Sequence, residues 1–531
     1  MFYLMPNEAS PFSRGKIAEI LQAIKPHEAP EVSEASRITV HATVSRFAML
    51  YEKMRNAVDY KDDHLLHKAA IVRILKRHLT FESDPNTIAL QLIRELIAAR
   101  YLPNATLPES LTGEVAGVIK KYQAIANRSS SNGSHRAWLM GVIASELEEL
   151  VDNHTSAKLL VNFLFEQLGD RITLKDQSMD ETERRLQVYV ACHRSLFKTD
   201  DEMMAYKLVR AYHSVWMHPD EWMGDPQAMA DKMMDVEQKV RGQLHHALGH
   251  KFLHAVKPWA VSLGILRTVL SEKPERAAHL LDHPAELHVA IKRVAERRYK
   301  ESKGKLRRGT RRAIVYLFIT KILIALAIEV PFERLLFKEV SEMSLLINVL
   351  FPPVLMLFVG LLIKVPGKDN IDRIQEAVDE LLSIEGPSGR EMRGPKKQGG
   401  FGRFIFSLIY LSMFFVTFGL VYKFLDYLHF TWISSGIFIF FLCVVSFFAF
   451  RLRLAAREYI VVERADKLRT ILLDFFSLPI LRAGQWLSLS ISRINIFIFL
   501  FDFIIETPFK IFLNILEEWF AFLKEKKDEL Q

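Results

Sequence analysis

The sequence predicts an all-α protein in two parts, a large polar helical domain followed by an apolar helical bundle. Three observations carry that reading. Apolar runs near 20 residues long cluster between Ala313 and Phe450 and nowhere before them. The preceding half carries apolar side chains at helical spacing among many charges. No stretch shows the two-residue alternation of a half-buried strand. With 531 residues, the chain exceeds a single core.

Residues 1–36 hold scattered Pro and Glu (Pro26, Pro30, Glu31, Glu34) and read as a loosely ordered segment. The N-terminus lacks the charged, apolar and small-residue regions of a cleaved signal peptide, so none is expected. Residues 37–306 read as a helical cytoplasmic domain. Val44, Phe47, Ala48 and Tyr51 share one helix face. Asp62 and Asp63 are candidate N-caps for a helix from His64 to Leu79. Asp84-Pro85 starts the next, which should run to Tyr101 and stop at Pro103-Asn104. The stretch NRSSSNGS, Asn127 to Ser134, reads as a linker that divides the domain into two lobes. Helical patterns follow at Arg136 to Asn153, Glu181 to Phe197, Glu202 to Trp216, Met229 to Phe252 and Pro274 to Ser302. No internal repeat is visible.

Residues 307–450 predict four spans: Ala313 to Val330, ended by Pro331; Leu345 to Val365, kinked by Pro352-Pro353; Phe404 to Tyr422; and Thr431 to Phe450. Each approaches the ~20 residues that cross a bilayer core as a helix. Lys and Arg crowd before the first span (Lys303 to Arg312), in the loop 366–403 and after the fourth span (Arg451 to Arg469). The positive-inside rule then places both termini and that loop in the cytoplasm. The loop reads as an amphipathic helix (Ile371, Ile374, Val378, Leu381, Leu382) and then a mobile Gly/Pro/Lys-rich segment, Gly386 to Gly402. Its basic residues read either as a contact with anionic headgroups or as part of an ordinary connecting loop. Residues 451–531 read as interfacial amphipathic helices, with 485–523 lying in the interface, re-entering or spanning.

The net charge of +8 does not predict nucleic-acid binding, because the basic residues gather at the ends of the spans. The two cysteines, Cys192 and Cys443, predict neither a disulfide framework nor a Cys metal site. Lys321 stands mid-way along the first span, where a charge is costly unless paired or hydrated. Asp502 or Glu506 of the tail would be its partner if the tail dips inward. No other charged residue is expected as deep, which argues against a full charge relay.

Two clusters in the polar half were candidates. Tyr51, Glu52, Arg55, Asn56 and Asp59 bunch on one helix, with Glu52/Asn56 and Arg55/Asp59 four apart. They read as a solvated, salt-bridged face or as a partner-binding surface. His246, His250 and His254, with His245, read as lying on one helix at the i, i+4 spacing that lets imidazoles share a metal, though no acidic third ligand stands beside them. Surface histidines are the plainer reading. No phosphate-binding glycine loop, HExxH, GxSxG, dinucleotide fingerprint or CxxC is present, so no cofactor is expected and catalysis is not indicated.

The stretches YEKMRNAVDYKDDHLLHKAAIVRILKRH (Tyr51 to His78), LIRELIAARYLPN (Leu92 to Asn104), INVLFPPVLMLFVGLLIKVPG (Ile347 to Gly367) and FDFIIETPFK (Phe501 to Lys510) resemble a group of uncharacterised multi-spanning membrane proteins of small-genome uncultivated bacteria. The resemblance implies a bacterial inner-membrane location and no particular activity. Three functions stay open: a membrane-anchored scaffold that binds a protein partner on the cytoplasmic side or organises the envelope; a transporter, channel or export component using Lys321 and the kinked second span; and a membrane enzyme with a His-based metal site.

Overall fold

The computed structural model describes residues 37–58, 65–126, 128, 133–152, 155–175, 179–337, 342–362, 366–383, 385–394, 400–456, 458–462, 468–493 and five positions between 512 and 522. They fall into two compact units: 37–260 with 380–394 and the five positions between 512 and 522, and 261–379 with 400–493.

The first unit is built from α1 (Ala42–Val58), α2 (Leu66–Phe81), α3 (Pro85–Ala98), α4 (Leu111–Ala126), α5 (Gly133–Val151), α6 (Thr155–Leu168), β1 (Ile172–Leu174), α7 (Glu181–Phe197), α8 (Asp201–Tyr212), a 3-10 turn (Ser214–Met217), α9 (Pro219–Trp222), α10 (Pro226–Leu244) and the first half of α11 (Gly249–Glu272). Aspartates start several of these helices. Asp84 accepts the Thr87 N–H at 2.9 Å, Asp200 the Met203 N–H at 3.2 Å and Asp225 the Ala228 N–H at 3.2 Å. Each satisfies a backbone donor that a helix's first turn leaves open. Asp62 and Asp63 lie outside the described residues. One apolar core runs from Ile38 to Leu244 and includes residues of both α4 and α5; of the Asn127 to Ser134 stretch, Gly133 and Ser134 begin α5, and Asn127 and residues 129–132 lie outside the described residues.

Two expectations are corrected in this unit. A strand pair exists: β1 lies parallel to β2 (Arg390–Met392), with Ile172 opposite Arg390 and Leu174 opposite Met392. Three-residue strands more than 200 positions apart leave no periodic signal in the sequence. The beginning of the Gly386 to Gly402 segment is also fixed in place, because Arg171 donates to the Pro387 and Glu385 carbonyls and the Trp259 indole donates to Glu380 at 2.8 Å. Gly386 has φ +69°, and a Cβ there would meet the Arg171 guanidinium at 2.7 Å, so only glycine fits the turn.

Several buried charges of this unit are paired. Lys68 contacts Asp200 and Glu202. Close by, burial pushes the Glu148 carboxyl up to about 7, with Asp152 and Glu202 adding to the effect against the pull of Lys68. Between its ordinary 4.5 and about 7 the folded chain holds a proton that the unfolded chain has released. Stability is therefore expected to fall as pH rises through that window and to level off above it. The span limits the effect to about 3 kcal/mol. Urea midpoints near pH 5 and pH 8 check this, and Glu148→Gln should flatten the slope.

The second unit comprises the rest of α11, α12 (Ala277–Asp282), α13 (Pro284–Ile324), a π-helical turn (Ala325–Glu329), α14 (Val330–Phe337), α15 (Glu342–Leu362), α16 (Lys368–Leu382, up to Asp379), α17 (Gly400–Tyr427), α18 (Trp432–Ala456) and α19 (Leu468–Arg493). Among the described residues, four helices are long and apolar enough to cross a membrane: Pro284–Leu335, Glu342–Leu361, Gly400–Tyr427 and Trp432–Leu454. The first differs from expectation. Pro331 does not end it; the helix runs on to Phe337 and opens into the π turn just before the proline. Proline has no N–H to give to the preceding turn and its ring crowds that turn's carbonyl, and a wider turn accommodates both.

The bundle has its polar groups inside and apolar groups outside. Val315, Phe318, Leu323, Phe358, Phe404 and Phe415 are exposed, whereas Lys321, Glu329, Glu333, Asn348 and Ser434 are buried. That arrangement suits an apolar solvent, since surface of this kind in water would be a large sticky patch. α19 packs closely on α18: a Cβ at Gly484 would stand 2.1 Å from the Cys443 carbonyl oxygen. Small residues allow such backbone approach. Where α13 is still polar, Asn370 acts as a clamp. It donates to the Tyr299 hydroxyl at 2.6 Å and to the Tyr459 carbonyl at 2.8 Å, and it accepts the Val461 N–H at 2.7 Å.

Candidate functional site

The site is a buried polar cluster inside the apolar bundle, centred on the π turn. Lys321 is on the last turn of α13, and Glu329 closes the π segment eight residues later. Eight residues of α-helix advance about 12 Å and leave the two positions about 80° out of line. The wider i→i+5 turn under-winds the helix and brings Glu329 beneath Lys321. Lys321 Nζ lies 3.8 Å from Glu329 Oε2, with both side chains 0% exposed. Lys321 Nζ also sits 4.6 Å from the centre of the Phe441 ring, a cation–π contact.

The other Glu329 oxygen faces α15 and α18. Asn348 Nδ2 donates to Glu329 Oε1 and, at 3.3 Å, to the Ser434 carbonyl. The Ser434 hydroxyl contacts Glu329 Oε1 and lies 2.8 Å from Glu333 Oε1. Thr431 Oγ1 donates to Glu333 Oε1 at 3.0 Å. Three segments thus bring one ammonium and two carboxylates together. Among the described residues, Lys321 Nζ, Glu329 Oε2 and Asn348 Oδ1 are buried with no hydrogen bond.

Beside Lys321 the structure places a partner that the sequence reading did not single out. Glu329 stands 3.8 Å from Lys321, and Glu329 and Glu333 are both buried, so the bundle interior holds more charge than the single Lys321 singled out in the sequence. Asp502 and Glu506 lie outside the described residues. Glu329 was missed because it stands beside Pro331 at the end of the apolar run, at a spacing that no α-helical face would bring back to Lys321.

The polar half fares differently. Tyr51, Glu52 and Arg55 are buried, so they form no solvated face or open surface. Glu52 pairs with Arg73 of α2, not with Asn56. Tyr101 joins the two, donating to Glu52 Oε2 at 3.2 Å and accepting from Asn56 Nδ2 at 3.0 Å. Asp59 lies outside the described residues. The histidines do not share one helix, because α10 stops at Leu244 and α11 begins at Gly249. His246 sits in the break, where its Nδ1 accepts the Leu248 N–H at 3.2 Å and so stabilises the turn. His250 and His254 stay on α11 with ring centres 6.5 Å apart. Among the described residues, no group of three or more His, Cys, Asp or Glu is disposed to hold a metal ion.

Fold and site together define a helical bundle suited to a membrane, with an ionisable interior. Comparison of the chain with protein-family models, curated proteins and solved structures finds no match.

Proposed function

We propose that this chain is a multi-pass protein of the bacterial inner membrane, with both termini and its large helical unit in the cytoplasm, and that its bundle moves a proton or small cation as part of transport. One observation carries the reading: Lys321, Glu329 and Glu333 are buried together in the bundle interior, with the Lys321–Glu329 pair at 3.8 Å and not hydrogen-bonded. Ionisable groups at such depth are expensive and typically mark ion paths or proton relays. A pair kept only for structure gains most by closing into hydrogen-bonded contact. The asymmetry of Lys and Arg in the loops supports the orientation. The test is flux of protons and sodium into vesicles containing the full-length protein. Wild type should dissipate an imposed gradient, and Lys321→Met and Glu329→Gln should each lower the rate at least tenfold. Equal flux in all three sinks the reading.

A scaffold is the second reading. Phe47 and Leu50, one turn apart on α1, are exposed large apolar side chains, as are Phe81 and Met234 elsewhere in the unit. In-cell cross-linking of the full-length protein separates the two. A protein partner retained in Lys321→Met but lost when Phe47 and Leu50 become serine favours the scaffold.

A further inference from the structure

We infer that Glu329 and Glu333 together bind a single proton, shared through the Ser434 hydroxyl, and that this proton is the ligand of the site. The inference deepens the reading of the bundle as an ion path and takes its functional meaning from it, but its structural grounds are separate.

The first ground is a count of donors. A serine hydroxyl has one proton to give and two lone pairs to receive with. Ser434 Oγ is in hydrogen-bond contact with Glu329 Oε1 and with Glu333 Oε1. It donates to one of them only. If both carboxylates were ionised, the other contact would press two lone-pair-bearing oxygens together. A proton on either carboxyl converts that contact into a hydrogen bond donated to Ser434, and the chain carboxyl–hydroxyl–carboxylate is complete. Asn348 and Thr431 do not supply the missing proton. Asn348 Nδ2 divides its donors between Glu329 Oε1 and the Ser434 carbonyl, and the Thr431 hydroxyl is given to Glu333 Oε1.

The second ground is charge. One ammonium and two carboxylates leave a net negative charge among side chains that are almost wholly buried. Neutralisation by a proton is the ordinary response of such a group. Among the described residues, the charged group facing the carboxylates is Lys321; α15 offers Ser344 and Asn348, and α18 with its preceding turn offers Thr431 and Ser434. Arg334, Glu342 and His429 are exposed.

A sodium ion would meet the same charge requirement. It needs oxygens arranged around an open centre, and here Ser434 Oγ itself occupies the point between the two carboxyl groups. The geometry favours the proton.

The experiment is infrared difference spectroscopy of the full-length protein in lipid nanodiscs near neutral pH. It reads the carbonyl stretch of a protonated carboxylic acid and its shift in heavy water. Glu148→Gln serves as the background, because burial pushes the Glu148 carboxyl up to about 7 and it would contribute its own band. Against that background, Glu333→Gln and Glu329→Gln should each remove the same band completely, since either change leaves one carboxylate balanced by Lys321. Ser434→Ala, which keeps both carboxyl groups and is the mildest change, should shift the band without removing it. Absence of any band lost in the glutamine variants overturns the proposal. So does an unshifted band in Ser434→Ala, or a band that disappears on adding sodium chloride at fixed pH. If one glutamine variant fails to fold, the other and Ser434→Ala decide. A band without vesicle flux refutes transport and leaves the bound proton; flux without a band does the reverse.

Discussion

Lys321→Met is expected to destabilise the bundle by about 3–5 kcal/mol, the usual cost of removing one partner from a buried ion pair. The cause is what remains. Glu329 and Glu333 would keep two carboxyl groups in an interior where Lys321 is the cation facing them. The order of effects is more telling than the size. Glu333→Gln should be mildest, because Lys321 and Glu329 still cancel. Glu329→Gln should be intermediate, because Lys321 must then look to Glu333. Lys321→Met should be worst, and combining it with Glu329→Gln should recover most of the loss. Thermal unfolding of the four variants in one lipid composition gives the order directly. A double variant no better than Lys321→Met alone would show that the charges are not coupled.

An effect of similar size is expected at Glu146 in the first unit. Glu146 of α5 pairs with Lys121 of α4 and accepts the Trp216 indole N–H at 3.0 Å, while Lys121 Nζ stands 4.9 Å over the Trp216 ring. All three side chains are buried. Glu146→Ala would strand a buried ammonium, costing about 3–5 kcal/mol. It would also leave the indole donor unsatisfied, at about 1–3 kcal/mol more. Together these approach the whole stability of an ordinary domain. The expected result is a protein that expresses poorly and unfolds in little urea, followed by tryptophan fluorescence. Lys121→Met with Glu146→Leu should be far closer to wild type, since packed apolar residues can replace a buried pair.

The four apolar helices were legible because hydrocarbon-spanning length leaves an unbroken compositional mark. Helix beginnings such as Asp84-Pro85 and Glu181 were legible because capping is local chemistry. Failures came where distant or irregular structure decides. Met229 to Phe252 read as one helix because its apolar spacing continues through His245 to Leu248, where the chain in fact breaks and the His246 side chain accepts the Leu248 N–H. Glu52 read as part of a solvated face because its partner Arg73 lies on α2 and its neighbour Tyr101 lies in the turn after α3. At the candidate site, Lys321 was visible as a lone charge. Glu329 was hidden by a change of helical pitch, and Ser434 and Asn348 by the ordinary occurrence of small polar residues in apolar helices.

The π turn has a thermodynamic consequence. If Ala325–Glu329 tightened to α-helical pitch, Glu329 would swing about 80° off the line of Lys321. Charge pairing and winding number are therefore one equilibrium, and by reciprocity whatever alters either alters the other to the same degree. Pro331 favours the wide turn by itself, so neutralising the pair would remove one of two contributions that hold five residues under-wound. The turn lies in a helix continuous from Pro284 to Leu335, so any change of winding there would turn one end of a rod some 78 Å long against the other.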